Sequence, residues 1–133
     1  MVDVAQYADT GPVGRQNIAD RQDISADYVA QLFGDLVDAG LVEGVRGPGG
    51  GYRLTRPASA ITARQIVEAV EGPLALVSCV ESDEEPGCER VQACVTRGLW
   101  KLLTETMTDI LSSVTLEDLR TRSHQVGVEG DRV

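Results

Sequence analysis

The chain has 133 residues, 42% of them hydrophobic, with one Trp, one Phe and a formal charge of −9. That length supports one modest core with room for a dimerisation arm, and excludes two large independent domains. No apolar run approaches the length of a membrane-spanning helix, and the start, Met1-Val2-Asp3-Val4, has neither a basic region nor an apolar signal segment, so a cytoplasmic protein is expected.

The negative charge is awkward for a nucleic-acid binder, whose nonspecific affinity comes from Lys and Arg meeting phosphates. Residues 1–60 hold five Arg against eight acids, and residues 61–133 hold seven basic against thirteen acidic residues, so neither half is basic. Binding to DNA would have to rest on local placement of Arg15, Arg21, Arg46, Arg53 and Arg56, doubled by dimerisation.

In chain order, Val4, Ala5 and Ala8 form a fragment of an apolar helical face before the turn signal Asp9-Thr10-Gly11-Pro12. Residues 14–22 read as a second short helix with Ile18 and Ala19 inward. Ser25 is a cap for a third helix running to about Gly40, in which Val29, Leu32, Phe33, Leu36 and Val37 recur on one face. Strands are expected from Val42 to Arg46 and from Gly51 to Leu54, joined through Pro48 and three consecutive Gly. Two short helices followed by such a hairpin make a winged helix-turn-helix.

Thr62 and Gln65 supply a capping-box pattern for a helix to about Glu71, stopped by Gly72-Pro73. An acidic stretch, Glu81 to Gly87, shows no helical periodicity. Residues 95–114 return to a strong pattern, Leu99, Leu102, Leu103, Met107, Ile110, Leu111 and Val114, with Trp100 adjoining. So wide an apolar stripe serves an internal core, a dimer partner, or both. Thr115 starts a last short helix, Leu116 to Leu119, and the tail after Arg120 reads as mobile. The expected fold class is mainly α with a small β-hairpin. The expected organisation is a DNA-binding unit over 1–72, a cysteine-containing sensor loop over 73–94, a dimerisation helix and short terminal helix over 95–119, and a flexible tail over 120–133.

The first residues of a helix entering the major groove reach base edges. Here they are Ser25, Ala26, Asp27, Tyr28 and Gln31. Ser25 both caps the helix and reaches a phosphate, Tyr28 packs on sugar or donates to phosphate, and Gln31 has the amide geometry for adenine; a solvated helix face is the plainer alternative. Arg46 and Arg53 bracket the wing, where an Arg enters a narrow minor groove or binds phosphate. The Gly-rich turn is not a nucleotide-binding loop, because no Lys-Ser or Lys-Thr follows it. An enzyme is not expected: the one His lies in the tail, and no nucleophile has a neighbouring activator.

Cys79, Cys88 and Cys94 offer three soft thiolates with no fourth nearby. An odd count without a secretory signal argues for metal or cluster ligands, a redox switch or buried small side chains, and against a disulfide framework. Zinc and a [2Fe-2S] cluster both use thiolates and both want a fourth ligand.

Ile24-Ser25, Tyr28, Gln31-Leu32-Phe33, Leu36, Gly40-Leu41-Val42, Val45 through Tyr52, and Cys94 through Trp100 together resemble the Rrf2 family of bacterial transcriptional regulators, over about residues 1–119. The resemblance implies a homodimeric winged-helix regulator binding a double-stranded DNA operator through Ser25, Tyr28, Gln31, Arg46 and Arg53. It also implies a [2Fe-2S] cluster on Cys79, Cys88 and Cys94, and dimerisation through the helix from Arg97. Members sense cluster status, nitric oxide, redox state or cysteine supply.

The chain departs from that pattern in four places. Ala30 stands where similar members carry Glu, and Arg97 where they place a His ligand. The interval from Cys79 to Cys88 is longer than usual, and the family's usual N-terminal basic segment is missing, so a truncated start is expected. Glu81, Asp83, Glu84, Glu85, Glu89 and the more distant His124 are substitutes for the fourth ligand. The expected function is a cluster-controlled regulator of iron-sulfur or redox homeostasis genes. The alternatives are a cluster-free thiol-redox or cysteine-status repressor and an iron-sulfur carrier or scaffold.

Overall fold

The computed structural model describes residues 1–81, 89–90 and 92–130, with side chains through Ser123. Helices α1 (Val2–Gln6), α2 (Arg15–Gln22) and α3 (Ala26–Asp38) precede a hairpin of β1 (Val42–Val45) and β2 (Gly51–Leu54). Then follow α4 (Ala63–Glu71), α5 (Arg97–Ser113) and α6 (Leu116–Gly130). The fold is mainly helical with one small antiparallel hairpin, a winged helix-turn-helix joined to a long helix. Among the described residues no helix is long and apolar enough to cross a membrane.

Local chemistry accounts for the helix-turn-helix. Asp23 takes a left-handed conformation at the end of α2, which Asp tolerates better than most residues, and the Ile24 N–H returns to the Ala19 carbonyl. Two residues later the Ser25 hydroxyl accepts the Tyr28 N–H at 3.1 Å and starts α3. Gly40, at φ 74°, closes α3 in a Schellman motif: Leu41 N–H reaches the Leu36 carbonyl and Gly40 N–H that of Val37.

Val29, Phe33 and Leu36 are buried and Leu32 partly so, as their spacing predicts. Val37, expected on the same face, is 40% exposed instead. It follows Leu36 by one residue, about 100° around the helix, which carries it off the core-facing stripe. Ala8 is likewise exposed, because the chain leaves α1 at Tyr7 in a single tight turn, Ala8–Thr10.

The wing is wider than the hairpin pattern suggests. Val42 to Val45 pair with Leu54 to Gly51, and Val13 exchanges two backbone hydrogen bonds with Tyr52 at 2.9 and 2.8 Å, adding a one-residue third strand. That addition explains Gly51, and the turn itself explains Gly50. A Cβ on Gly51 would stand 2.1 Å from the Val13 carbonyl oxygen, and one on Gly50 2.2 Å from the Val45 carbonyl oxygen. The glycines are therefore required by close backbone approach as well as by turn chemistry. Phe33 stacks on Tyr52 with ring centroids 4.4 Å apart, fixing the wing to α3.

A single core joins both ends of the chain. Ile61, just before α4, and Leu116, at the start of α6, are both fully buried in the cluster that contains Val29, Phe33 and Val42. The Leu116 N–H donates to the Ile61 carbonyl and the Ala63 N–H to the Val114 carbonyl, each at 2.8 Å. Capping boxes start both helices, Thr62 with Gln65 and Thr115 with Asp118. α6 continues to Gly130 rather than ending near Leu119. Its packing on α1, where Gln6 donates to the Ser123 hydroxyl at 2.8 Å, supplies tertiary support that a short helix with a free tail would lack.

Asp3 of α1 is buried against α2. Its carboxylate receives both Nε and Nη2 of Arg21 at 2.8 and 2.6 Å and the Gln22 amide at 3.2 Å. Burial works to raise the Asp3 pKa, but the bonds from Arg21 and Gln22 and the charge of Arg21 outweigh it and hold the carboxyl below its ordinary range.

Two expectations concern stability. Gly51→Ala should lose roughly 3 kcal/mol through the clash with Val13, whereas Gly44→Ala, with open space around its Cβ, should gain about 0.5 kcal/mol. Urea midpoints of the two variants check this, and similar midpoints would count against the close approach. Asp3→Asn should cost about 1–3 kcal/mol at pH 7, between the values of exposed and buried ion pairs. Because the folded pKa is depressed, the stabilisation is complete above the ordinary carboxylate pKa of about 3.9 and is lost as pH falls through the folded value. The wild-type advantage over Asp3→Asn should thus shrink only below about pH 4.

Candidate nucleic-acid interface and cysteine site

The first turns of α3 place Ser25, Tyr28 and Gln31 at three-residue spacing, all exposed, with Tyr28 at 49%. The Ser25 oxygen is engaged as the helix cap, which leaves its hydroxyl proton as a donor to an outside acceptor. Gln31 is exposed one turn further on. These three side chains stand on the helix that the Phe33–Tyr52 stack fixes to the wing.

The arginines divide into two groups. Arg46 is exposed at the end of β1 and makes no ion pair among the described residues. With Arg15, from the first turn of α2, it lines the concavity between α2 and the base of the wing. Arg56 is also exposed. Arg53 is paired: it stands opposite Glu43 in the hairpin and holds its carboxylate at 2.7 Å. Arg21, expected to supply positive charge for DNA, is committed to the buried Asp3 carboxylate and lies over the Tyr7 ring at 4.1 Å. Its side chain, still 34% exposed, bridges α2 to α1. Net charge gave no sign of this, because the partner acid is eighteen residues away in sequence.

Cys79 lies in the tight turn Ser78–Val80 and is partly buried; Cys94 is exposed two residues before Thr96, the cap of α5. Cys88, together with the candidate ligands Asp83, Glu84 and Glu85, lies outside the described residues, as does the side chain of His124. Glu81 and Glu89 are exposed. Among the described residues no three His, Cys, Asp or Glu side chains converge as a metal site.

Cys94 is the better defined of the two thiols. Its sulfur lies 3.3 Å from the Thr96 hydroxyl. That hydroxyl, the Thr96 backbone N–H and the Arg97 N–H together hold the thiol below its ordinary pKa, in line with thiols set at helix N-termini. Arg97 also turns its guanidinium to the Cys79 carbonyl, with Nη2 at 3.3 Å and Nε at 3.4 Å. The sequence shows Arg97 in place of the His ligand of similar members, and its contact with Cys79 was not visible there because it spans eighteen residues. Cys79 and Cys94 supply soft thiol donors of the kind that bind iron or zinc, so in donor chemistry the described cysteines fit a thiolate-bound cluster.

Along α5, Leu99, Leu102, Leu103 and Ile110 remain exposed at 42–60%, with Trp100 at 37%. The opposite side packs on α4, which in turn packs on α3.

A family profile described as Rrf2, iron-dependent transcriptional regulator, matches residues 1–122. The HTH-type transcriptional regulator IscR of Klebsiella pneumoniae (strain 342) is 39% identical over 130 residues, spanning 98% of this chain and 78% of that protein. The solved structure of CymR, the global cysteine regulator of B. subtilis, superposes with a TM-score of 0.73 at 36% identity, covering 91% of this chain and 87% of that one. T. potens IscR superposes at 0.74 with 32% identity, covering 94% and 80%. With the winged helix-turn-helix already in place, these matches establish that the chain belongs to the Rrf2 family, non-catalytic DNA-binding transcriptional regulators.

Proposed function

We propose that this regulator acts in the cytoplasm as a homodimer whose operator affinity is set by a [2Fe-2S] cluster held by Cys79, Cys88 and Cys94, and that it governs iron-sulfur or redox homeostasis genes. The observation that carries the reading is the place of Arg97. It opens α5, the helix with the unpartnered apolar stripe, three residues after Cys94, and its guanidinium bonds the Cys79 carbonyl.

The division of labour follows the chain. Residues 1–72 dock on DNA: Gln31 reads a base edge, Ser25 and Tyr28 donate to the sugar-phosphate backbone, and Arg46 meets phosphate beside Arg15. The stripe on α5 joins the two protomers, which doubles a modest positive surface and offsets the unfavourable net charge. When bound, the cluster supplies a charged, redox-responsive centre at the head of α5. The three thiolates hold it, and Thr96 and Arg97 orient Cys94 and Cys79. Because α4 packs between α5 and α3, a shift at the head of α5 alters the placement of the reading helices.

Anaerobic reconstitution, iron and sulfide assay, and operator titration test the reading. The wild type should retain both elements and differ from a triple Cys→Ser variant in operator affinity; indistinguishable titrations would overturn cluster control. The exposed Cys94, with its lowered pKa, favours a second reading, a cluster-free thiol switch. That reading predicts no retained sulfide and DNA binding that responds to a thiol oxidant. A protein that passed its cluster to an apo acceptor and lacked salt-sensitive DNA affinity would instead be a carrier.

The wing generates its own expectation. Glu43→Gln releases Arg53 from its ion pair, so nonspecific DNA affinity should rise and the slope of log K against log salt should steepen by about 0.9. An unchanged slope would mean that Arg53 stays off the DNA.

A further inference from the structure

Arg97 occupies the position where the family resemblance leads one to expect a metal-binding His, yet its chemistry points elsewhere. A guanidinium holds no lone pair suited to iron, while its planar fork of N–H donors is well matched to a carbonyl oxygen. Here two of those donors meet one carbonyl, that of Cys79, and Arg97 itself follows Cys94 by three residues in the chain. One residue thus ties the Cys79 segment to the helix that begins just after Cys94, across an intervening stretch of fourteen residues, 80–93.

A second contact shows that the Cys79 segment is aligned along α5 rather than touching it at one point. The Leu76 N–H reaches the hydroxyl of Thr104, which is buried. Arg97 and Thr104 are seven residues apart, two turns of helix, so they share a face and lie about 10.5 Å apart along the axis. Leu76 and Cys79 are three residues apart, so one short segment meets α5 at two points, its backbone held by the side chains of Thr104 and Arg97.

We propose that Arg97 is a positioning residue that seats Cys79 beside the N-terminus of α5, where Cys94 already stands, so that both thiols face a cluster without Arg97 ligating it. This inference rests on the reading that the cysteines hold a cluster, but the seating of Cys79 belongs to the metal-free protein. Thr104 secures the same segment two turns further on. Lys retains the charge and ammonium donors but not the planar fork, and so restores part of the contact.

Two measurements on the full chain test it, with wild type, Arg97→Ala and Arg97→Lys compared. In the metal-free protein, site-resolved mass spectrometry of maleimide labelling should show Cys79 reacting several-fold faster in Arg97→Ala. Arg97→Lys should be intermediate, with far-UV circular dichroism unchanged in all three. After anaerobic reconstitution with iron and sulfide, loss of visible absorbance under a chelator should be about tenfold faster in Arg97→Ala, with the band positions of the remaining cluster unchanged. Equal labelling rates and equal cluster lifetimes would overturn the proposal, and shifted bands would overturn the claim that Arg97 is not a ligand. A wild type that retains no sulfide, with Cys79 labelling still accelerated in Arg97→Ala, would overturn the cluster reading and leave the seating of Cys79 intact.

Discussion

The backbone clasp between Ile61 and Leu116 is the constraint on which the rest of the structure depends. Two hydrogen bonds, Leu116 to Ile61 and Ala63 to Val114, tie the start of α6 to the start of α4. The two side chains complete a core that otherwise belongs to the first fifty residues. Full burial of two such side chains is worth about 3–6 kcal/mol, a large share of the stability of a small domain. The clasp also makes α5 a fixed extension of the winged helix. With the packing of α4 on both α5 and α3, it couples the long helix to α3.

Charge is arranged with similar economy. A chain with a formal charge of −9 binds DNA only if its few arginines are not neutralised by neighbouring acids. The fold spends Arg21 on a buried carboxylate and holds Arg53 in a surface pair, leaving Arg15 and Arg46 together beside the wing. The exposed pair contributes little to stability, so its consequence lies in binding. The buried pair is structural, since an unpaired Asp3 carboxylate under α2 would carry a full desolvation penalty.

The cysteine segment and the long helix α5 meet at one residue. In this chain the head of α5 carries an arginine bonded to the Cys79 backbone, next to a thiol stabilised by the Thr96 hydroxyl. Thr96 uses its hydroxyl on Cys94 rather than on the helix it precedes, and makes no side-chain capping bond. The local chemistry is thus turned toward the thiols, and the apolar stripe on the same helix is turned toward solvent in the single chain.

The sequence by itself determined the elements whose causes are local. Ser25 and the Thr62-Gln65 box start helices, Gly40 ends one, and the 29-32-33-36 spacing marks the buried face of α3. It also marked the wing and the exposed candidates Ser25, Tyr28, Gln31 and Arg46, because position in a helix-turn-helix follows from order along the chain. What only the tertiary structure decided were pairings between residues far apart in sequence. They are Val13 with Tyr52, which explains Gly51; Asp3 with Arg21, which removes an arginine from the DNA-facing set; Ile61 with Leu116, which makes one core of two halves; and Arg97 with Cys79. Periodicity and capping report the neighbourhood within a turn or two of helix, whereas these contacts depend on which surfaces the folded chain brings together.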